Sequence, residues 1–104
     1  MAQIIWTKKA KQQLRSAVKY ISKSSGEYYA KIVLEGIFKE IDWLENFPQI
    51  GQKEPLLIFK KSEYRYLVKW SYKIIYRVTS DMQKVYISRI FHTSQNPNKI
   101  LKYK

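Results

Sequence analysis

Apolar residues in the first half of the chain recur at helical spacing, and those in the second half alternate. Residues 3–6 (Gln-Ile-Ile-Trp) form a short apolar run that predicts a strand, and Thr7 is a good N-cap for a helix beginning at Lys8. Over residues 8–24, Ala10, Leu14, Ala17, Val18 and Ile21 make one helical stripe. Lys8, Lys9, Lys11, Arg15, Lys19 and Lys23 sit mostly off it, which gives the helix a cationic outer face. Ser24 and Glu27 stand at capping-box spacing around Gly26 and predict a restart. A second helix is expected to run to about Asn46, with Ala30, Val33, Ile37, Ile41 and Leu44 inward, widened by Leu34 and Phe38. Phe47-Pro48 stops it. So short a connection implies an antiparallel helical hairpin.

Beyond it, residues 50–62 are irregular, broken by Gly51 and Pro55, with a short strand expected at Leu56–Phe59. Residues 64–69, 72–79 and 84–91 are rich in Tyr, Val and Ile at period two and predict consecutive antiparallel strands. A turn at 80–83 that opposes Thr79 to Lys84 pairs Arg77 with Tyr86, Ile75 with Ser88 and Lys73 with Ile90. One face then carries Lys73, Arg77, Tyr86, Ser88 and His92. The other carries Ile74, Tyr76, Val78, Val85, Ile87 and Phe91, with Arg89 as its only charge. A three-residue turn at 70–72 adds Arg65 and Lys69 to the cationic face, and a turn one residue shorter reverses that strand. The expected fold class is α+β: an N-terminal strand and an antiparallel two-helix hairpin packed on one face of a mainly antiparallel β-sheet. It forms a single domain over 1–104, of which 94–104 is a basic tail.

Charge changes the picture most. Twenty basic residues stand against eight acidic ones, a net charge of +12, far more than solubility requires. Such an imbalance points to a polyanionic or acidic partner. Five of the acids lie between residues 27 and 45, and none follows Asp81. There is no cysteine, which removes disulfides, thiolate metal sites and thiol nucleophiles, and fits a reducing compartment. The N-terminus lacks a basic segment followed by an apolar run, and no stretch approaches the roughly 18 apolar residues of a membrane span. The expectation is a cytoplasmic protein with no membrane association. One histidine without cysteine argues against a metal, and three isolated glycines do not make a phosphate loop, so no cofactor is expected.

An ordered set of segments carries a family resemblance. It comprises Trp6-Thr7, Ala10 and Leu14, Tyr20-Ile21, Leu44, Phe47-Pro48-Gln49-Ile50-Gly51, Tyr64-Arg65-Tyr66-Leu67-Val68, Tyr72-Lys73-Ile74-Ile75-Tyr76-Arg77-Val78, Arg89-Ile90-Phe91-His92-Thr93 and Asn96-Pro97. Over nearly the whole chain this resembles the RelE/ParE superfamily, the toxins of type II toxin–antitoxin systems. The resemblance implies a growth-arresting toxin neutralised by a cognate antitoxin in a hetero-oligomer. It also implies one of two targets: DNA gyrase, inhibited without chemistry by ParE-like members, or the ribosome, where RelE-like members cut mRNA. The Phe-Pro-x-x-Gly segment and full-length hairpin look more ParE-like. Lys73 stands where RelE-like nucleases tend to carry arginine, a departure from their pattern.

Metal-free RNA cleavage needs a base for the 2′-hydroxyl, cations for the phosphorane and an acid for the leaving oxygen. His92 is the one histidine, the residue type best suited to serve as acid or base; Arg65, Lys73 and Arg77 are the cations for the scissile phosphate. These four are the catalytic candidates if the protein is a metal-independent endoribonuclease. As a binding protein it would use Arg65, Lys69, Lys73, Arg77, Tyr86 and Trp70, the last as an antitoxin anchor in an exposed turn. The plainer alternative for the cationic face is a solvated strand surface ending in a hydrogen-bonded histidine. A non-toxic nucleic-acid- or protein-binding domain is the third functional class. Arg89, among core residues, is expected to be structural and paired at the layer boundary, and all three tryptophans belong in or beside the core, with Trp70 the most exposed.

Overall fold

The structure, a computed structural model, describes residues 1–58 and 60–95. Strand β1 (Gln3–Trp6) leads directly into helix α1 (Lys8–Ser25). Thr7 joins them: its hydroxyl oxygen accepts the Ala10 N–H at 3.2 Å, an N-cap bond, and its O–H donates to the Ile87 carbonyl at 2.7 Å. The expected stripe is the packed one. Ala10 and Ile21 are buried with Leu14, Ala17 and Val18 against them, while Lys8, Lys11, Arg15, Lys19 and Lys23 are exposed.

The junction to α2 (Glu27–Asp42) departs from expectation. Ser24 is no cap; it lies inside α1 and its hydroxyl donates to the Tyr20 carbonyl at 3.0 Å. Gly26 alone breaks the helix. Its φ of 95° lies in a region open to glycine, and its N–H reaches the Ser22 carbonyl at 3.1 Å. Ala30, Val33, Ile37 and Ile41 are buried along α2, and Leu44 continues the stripe in a 3₁₀ turn (Trp43–Glu45). The α-helix thus stops four residues before Asn46. Trp43 leaves the core edge where the sequence put it and is 55% exposed.

Strands β2 (Gln52–Lys53), β3 (Glu63–Lys69), β4 (Tyr72–Val78) and β5 (Lys84–His92) complete a five-stranded sheet of order β1-β5-β4-β3-β2. Every pair is antiparallel except β1–β5. The fold is α+β with a mostly antiparallel sheet, as expected. The strand expected at Leu56–Phe59 is instead a 3₁₀ turn over Pro55–Leu57, entered through proline's fixed φ; Phe59 lies outside the described residues, as does 96–104 of the expected tail. Two-residue β2 is too short to leave a periodic trace.

Two register corrections rearrange the faces. Between β4 and β5 the expected pairing holds for Arg77–Tyr86 and then slips, because β5 carries one extra residue: Tyr76 pairs with Ile87 but Ile75 with Arg89. Lys73 therefore opposes Phe91 and not Ile90. Ile90 turns into the main core at 2% exposure, and Phe91 packs on the opposite face against Ile75 and Leu57. Arg89 is not the lone charge of the core face. Between β3 and β4 the turn has two residues, Trp70-Ser71, with Trp70 at φ 58°, so Lys69 opposes Tyr72 and Tyr64 opposes Arg77. Arg65 and Lys69 fall on the helix side, away from Arg77.

The main core lies between hairpin and sheet, where Ile74, Tyr76, Val78, Val85, Ile87 and Ile90 meet the helical stripes. The other face is not wholly open: Leu57 and Ile75 anchor a smaller core with Leu56, Tyr64, Tyr66 and Phe91. Gly51 ties the post-helix loop to the sheet. Its N–H donates to the Tyr76 hydroxyl at 2.9 Å and its carbonyl accepts Arg65 Nη1 at 2.7 Å. A β-carbon here would stand 2.5 Å from the Tyr66 carbonyl oxygen and 2.6 Å from the Tyr76 hydroxyl. Gly51→Ala is expected to destabilise the fold by roughly 1–3 kcal/mol, the usual cost of overpacking, read as a fall in thermal midpoint. Burial raises the Tyr76 phenol above its ordinary range, against the lowering effect of the Gly51 bond, and burial likewise raises Tyr72. A raised acid keeps its proton in the folded state while the unfolded chain loses it. These phenols therefore cost no stability below about pH 10. Above it, the unfolded chain gains by ionising first, and stability falls as pH rises towards their folded values. Tyr72→Phe should flatten that alkaline limb in a pH series of chemical denaturation.

Candidate functional site

On the sheet face opposite the hairpin, Arg77 and Tyr86 are register partners, and the guanidinium lies 4.2 Å from the phenol ring centre, a cation–π contact. Around them opens a groove of about 540 Å³ lined by Thr7, Lys8, Lys9, Leu57, Lys60, Tyr64, Arg77, Tyr86, Ser88 and Arg89. Five of these are cations and none is an acid. The first turn of α1 brings Lys8 and Lys9 to the groove, and the register slip turns Arg89 to this face, where its Nη1 donates to the Ser88 carbonyl at 2.7 Å. Lys8, Lys60, Tyr64 and Arg89 had no place in the site expected from sequence.

Lys73 lies on the same face but is committed elsewhere. Its Nζ is 2.6 Å from Glu54 Oε1 and 4.3 Å from the Tyr66 ring centre, and Glu54 has no solvent exposure. Neither Glu54 carboxylate oxygen has a partner in hydrogen-bonding geometry among the described residues, so the pair is held by charge and contact more than by direction. Glu54 gives no periodic signal; it sits in an irregular segment, and only the fold brings it to Lys73. Arg65 bonds Glu63 through Nε at 2.5 Å and braces Gly51. That bond is the main cause of the lowered Glu63 carboxyl. Lys69 reaches Glu40 of α2 at 4.0 Å and Trp70 at 5.1 Å. Trp70 is half exposed, as expected for the turn, yet its indole Nε1 covers Gly36 so closely that a β-carbon there would overlap it.

His92 is parted from the groove. It pairs with Tyr72 at the far end of the β4–β5 ladder, five β4 residues from Arg77, or about 17 Å along a strand. Its ring meets Tyr72 edge to face at 5.3 Å, and its Nδ1 accepts the Ser94 N–H at 3.1 Å. The four catalytic candidates therefore occupy separate places: His92 with Tyr72, Arg65 with Glu63 and Gly51, and Lys73 with Glu54 near, but not lining, the groove of Arg77. General acid–base work requires reach of about 3 Å or one water, which Arg77 and His92 do not share. The groove offers phosphate- or carboxylate-binding cations and two phenols. Among the described residues no group of three or more acids or histidines could hold a metal, and no helix is long and apolar enough to cross a membrane.

The chain is thus a small basic α+β protein with a helical hairpin across a mostly antiparallel sheet, a parallel edge strand and an acid-free cationic groove. The family model described as the ParE toxin of the type II toxin–antitoxin system parDE matches residues 4–97, and the chain belongs to that family. A solved structure named as the chromosomal ParDE TA system from P. aeruginosa shares the fold, with a TM-score of 0.72 at 20% identity, over 90% of this chain and 98% of that one. No curated protein matches the chain.

Removing one member of the Glu54–Lys73 pair should be costly, because the other charge is left in a covered site. Glu54→Gln is expected to lose roughly 3 kcal/mol, at the low end of buried pairs because Lys73 keeps 19% exposure. Glu54→Gln with Lys73→Met should cost less than the two singles summed. A urea-denaturation double-mutant cycle measures the difference; additive losses would show that the charges do not depend on one another.

Proposed function

We propose that this protein is the toxin of a type II toxin–antitoxin pair and arrests growth by binding and inhibiting DNA gyrase, without bond-breaking chemistry of its own. Membership of the ParE family supports the toxin role, with a cognate antitoxin as partner. The observation that carries the mechanism is the separation of the only histidine from the cationic groove, at the far end of the β4–β5 ladder. A ribonuclease needs acid, base and phosphate-binding cations around one phosphate. Here the cations of the groove have no histidine beside them, and Lys73 is engaged by a buried carboxylate. A surface with five cations and no histidine supports recognition of an anionic partner, and any proton transfer there would fall to its phenols and lysines.

The solved relative is named as a ParDE TA system, and an equivalent antitoxin is the partner proposed for this chain. An acidic or amphipathic segment suits a net charge of +12. The acid-free groove favours a second reading, ribosome-dependent mRNA cleavage, to the extent that it suits a phosphate backbone.

One experiment separates the two. The protein is induced without antitoxin, and thymidine and methionine incorporation are followed over the first minutes; in parallel, purified protein is added to gyrase and relaxed plasmid. DNA synthesis should fall before translation, supercoiling should be lost, and His92→Gln should keep most of the inhibition. If translation stops first, with mRNA cut within codons, and folded His92→Gln is inert, the binding mechanism is wrong.

A further inference from the structure

β5 has nine residues and its parallel neighbour β1 only four, so β1 pairs no further than Ile87. Beyond that point α1 lies beside the uncovered edge, and Gln13 Oε1 accepts the Ile90 N–H at 2.8 Å. The mismatch leaves a cleft of about 580 Å³ between α1 and the end of β5. That volume lies within the roughly 300–1,000 Å³ usual for small-ligand sites. Its walls combine rings and amides: Tyr20, Tyr72 and His92 with Gln12 and Gln95. Tyr20 is 70% exposed at the lip, while Tyr72 and His92 hold each other at right angles deeper in. No acid lines it. Lys9 lines both this cleft and the groove of Arg77 and Tyr86, so the two meet over the first turn of α1.

We propose that the two clefts form one path for a single-stranded nucleic acid. The groove's five cations track the phosphates, Lys9 carries the strand over α1, and the second cleft takes an unstacked base against Tyr20 and the Tyr72–His92 pair, with Gln12 at the base edge. A backbone-tracking cationic groove joined to aromatic platforms is the arrangement that binds single strands, since every base has a face to stack. An amide side chain can both donate to and accept from a base edge. A duplex would meet the cations but keep its bases out of the cleft. An acidic peptide would also use the cations, but a chain that alternates regular phosphates with flat bases matches both the cationic groove and the ring-walled cleft, and nucleic acid is therefore the favoured occupant. The proposal stands apart from gyrase inhibition, because its test uses this chain alone.

The test is fluorescence polarisation of the purified protein with a fluorescein-labelled single strand of mixed sequence and about 12 nucleotides, within the usual site sizes. The matching duplex and an abasic strand of equal length are measured beside it, over a salt series. The intact single strand should bind about fivefold or more tightly than either the abasic strand or the duplex, the span expected for one stacked base. Tyr20→Ala should abolish that advantage, and its exposure leaves the fold intact by circular dichroism. Lys9→Ala should instead weaken all three and reduce the salt slope by about one. Equal affinity for intact and abasic strands, or a Tyr20→Ala protein that still discriminates, would overturn the base site. So would a polyglutamate peptide of matched charge that displaces the strand at equal concentration with no dependence on Tyr20.

Discussion

In β5 the alternation of apolar residues breaks at Ser88-Arg89, and the strand absorbs the break by inserting one residue opposite the Ile75–Tyr76 step of β4. Without the insertion, the guanidinium would follow Val85 and Ile87 onto the face packed by the hairpin. Burying an ion there costs several kcal/mol even after relaxation. With it, Arg89 turns to the groove, Ile90 takes the core position at 2% exposure, and Phe91 closes the small core over Ile75. A bulge costs one local irregularity of the ladder and raises the twist, a far smaller penalty. This one strand therefore determines both what the core contains and which cations share a surface.

The same insertion divides the chemistry. Before the bulge, Arg77 and Tyr86 are partners on the groove side; after it, His92 faces Tyr72 beside α1. Each side borders its own cleft, one cationic and one aromatic and polar, with Lys9 lining both. The single histidine and the groove cations thereby lie in different places.

Much of this was legible in the sequence. The helical stripes, the Thr7 cap, the three long strands and the α+β class all follow from periodicity, because long regular elements average over local exceptions. The departures come where single residues decide. A two-residue turn at Trp70-Ser71 reverses the whole of β3, so Arg65 and Lys69 change sides together; turn length is weakly encoded when the first turn residue is a tryptophan at positive φ and not a glycine. The capping box at Ser24 yields to Gly26, which ends one helix and begins the next by itself. Arg89 was the outlier on an otherwise apolar face, and that outlier was the trace of the bulge. Glu54 left no trace, since its partner Lys73 lies nineteen positions away and nothing periodic connects them. The aromatic cleft was equally hidden, being a product of the unequal lengths of β1 and β5.

The ion pairs explain how so basic a chain creates a polarised surface. Of the four cations that the sequence grouped on one face, three meet carboxylates: Arg65 with Glu63, Lys69 with Glu40 and Lys73 with Glu54. Arg77 instead meets the face of Tyr86, which orients the guanidinium in a groove that no acid lines. Three of the few acids are thus placed against strand cations with structural tasks, and the groove keeps its sign. A cleft of one sign with low-dielectric walls focuses its field and speeds encounter with an oppositely charged partner, an effect that salt erodes. That acid-free lining runs between the first turn of α1 and the strands of Arg77 and Arg89.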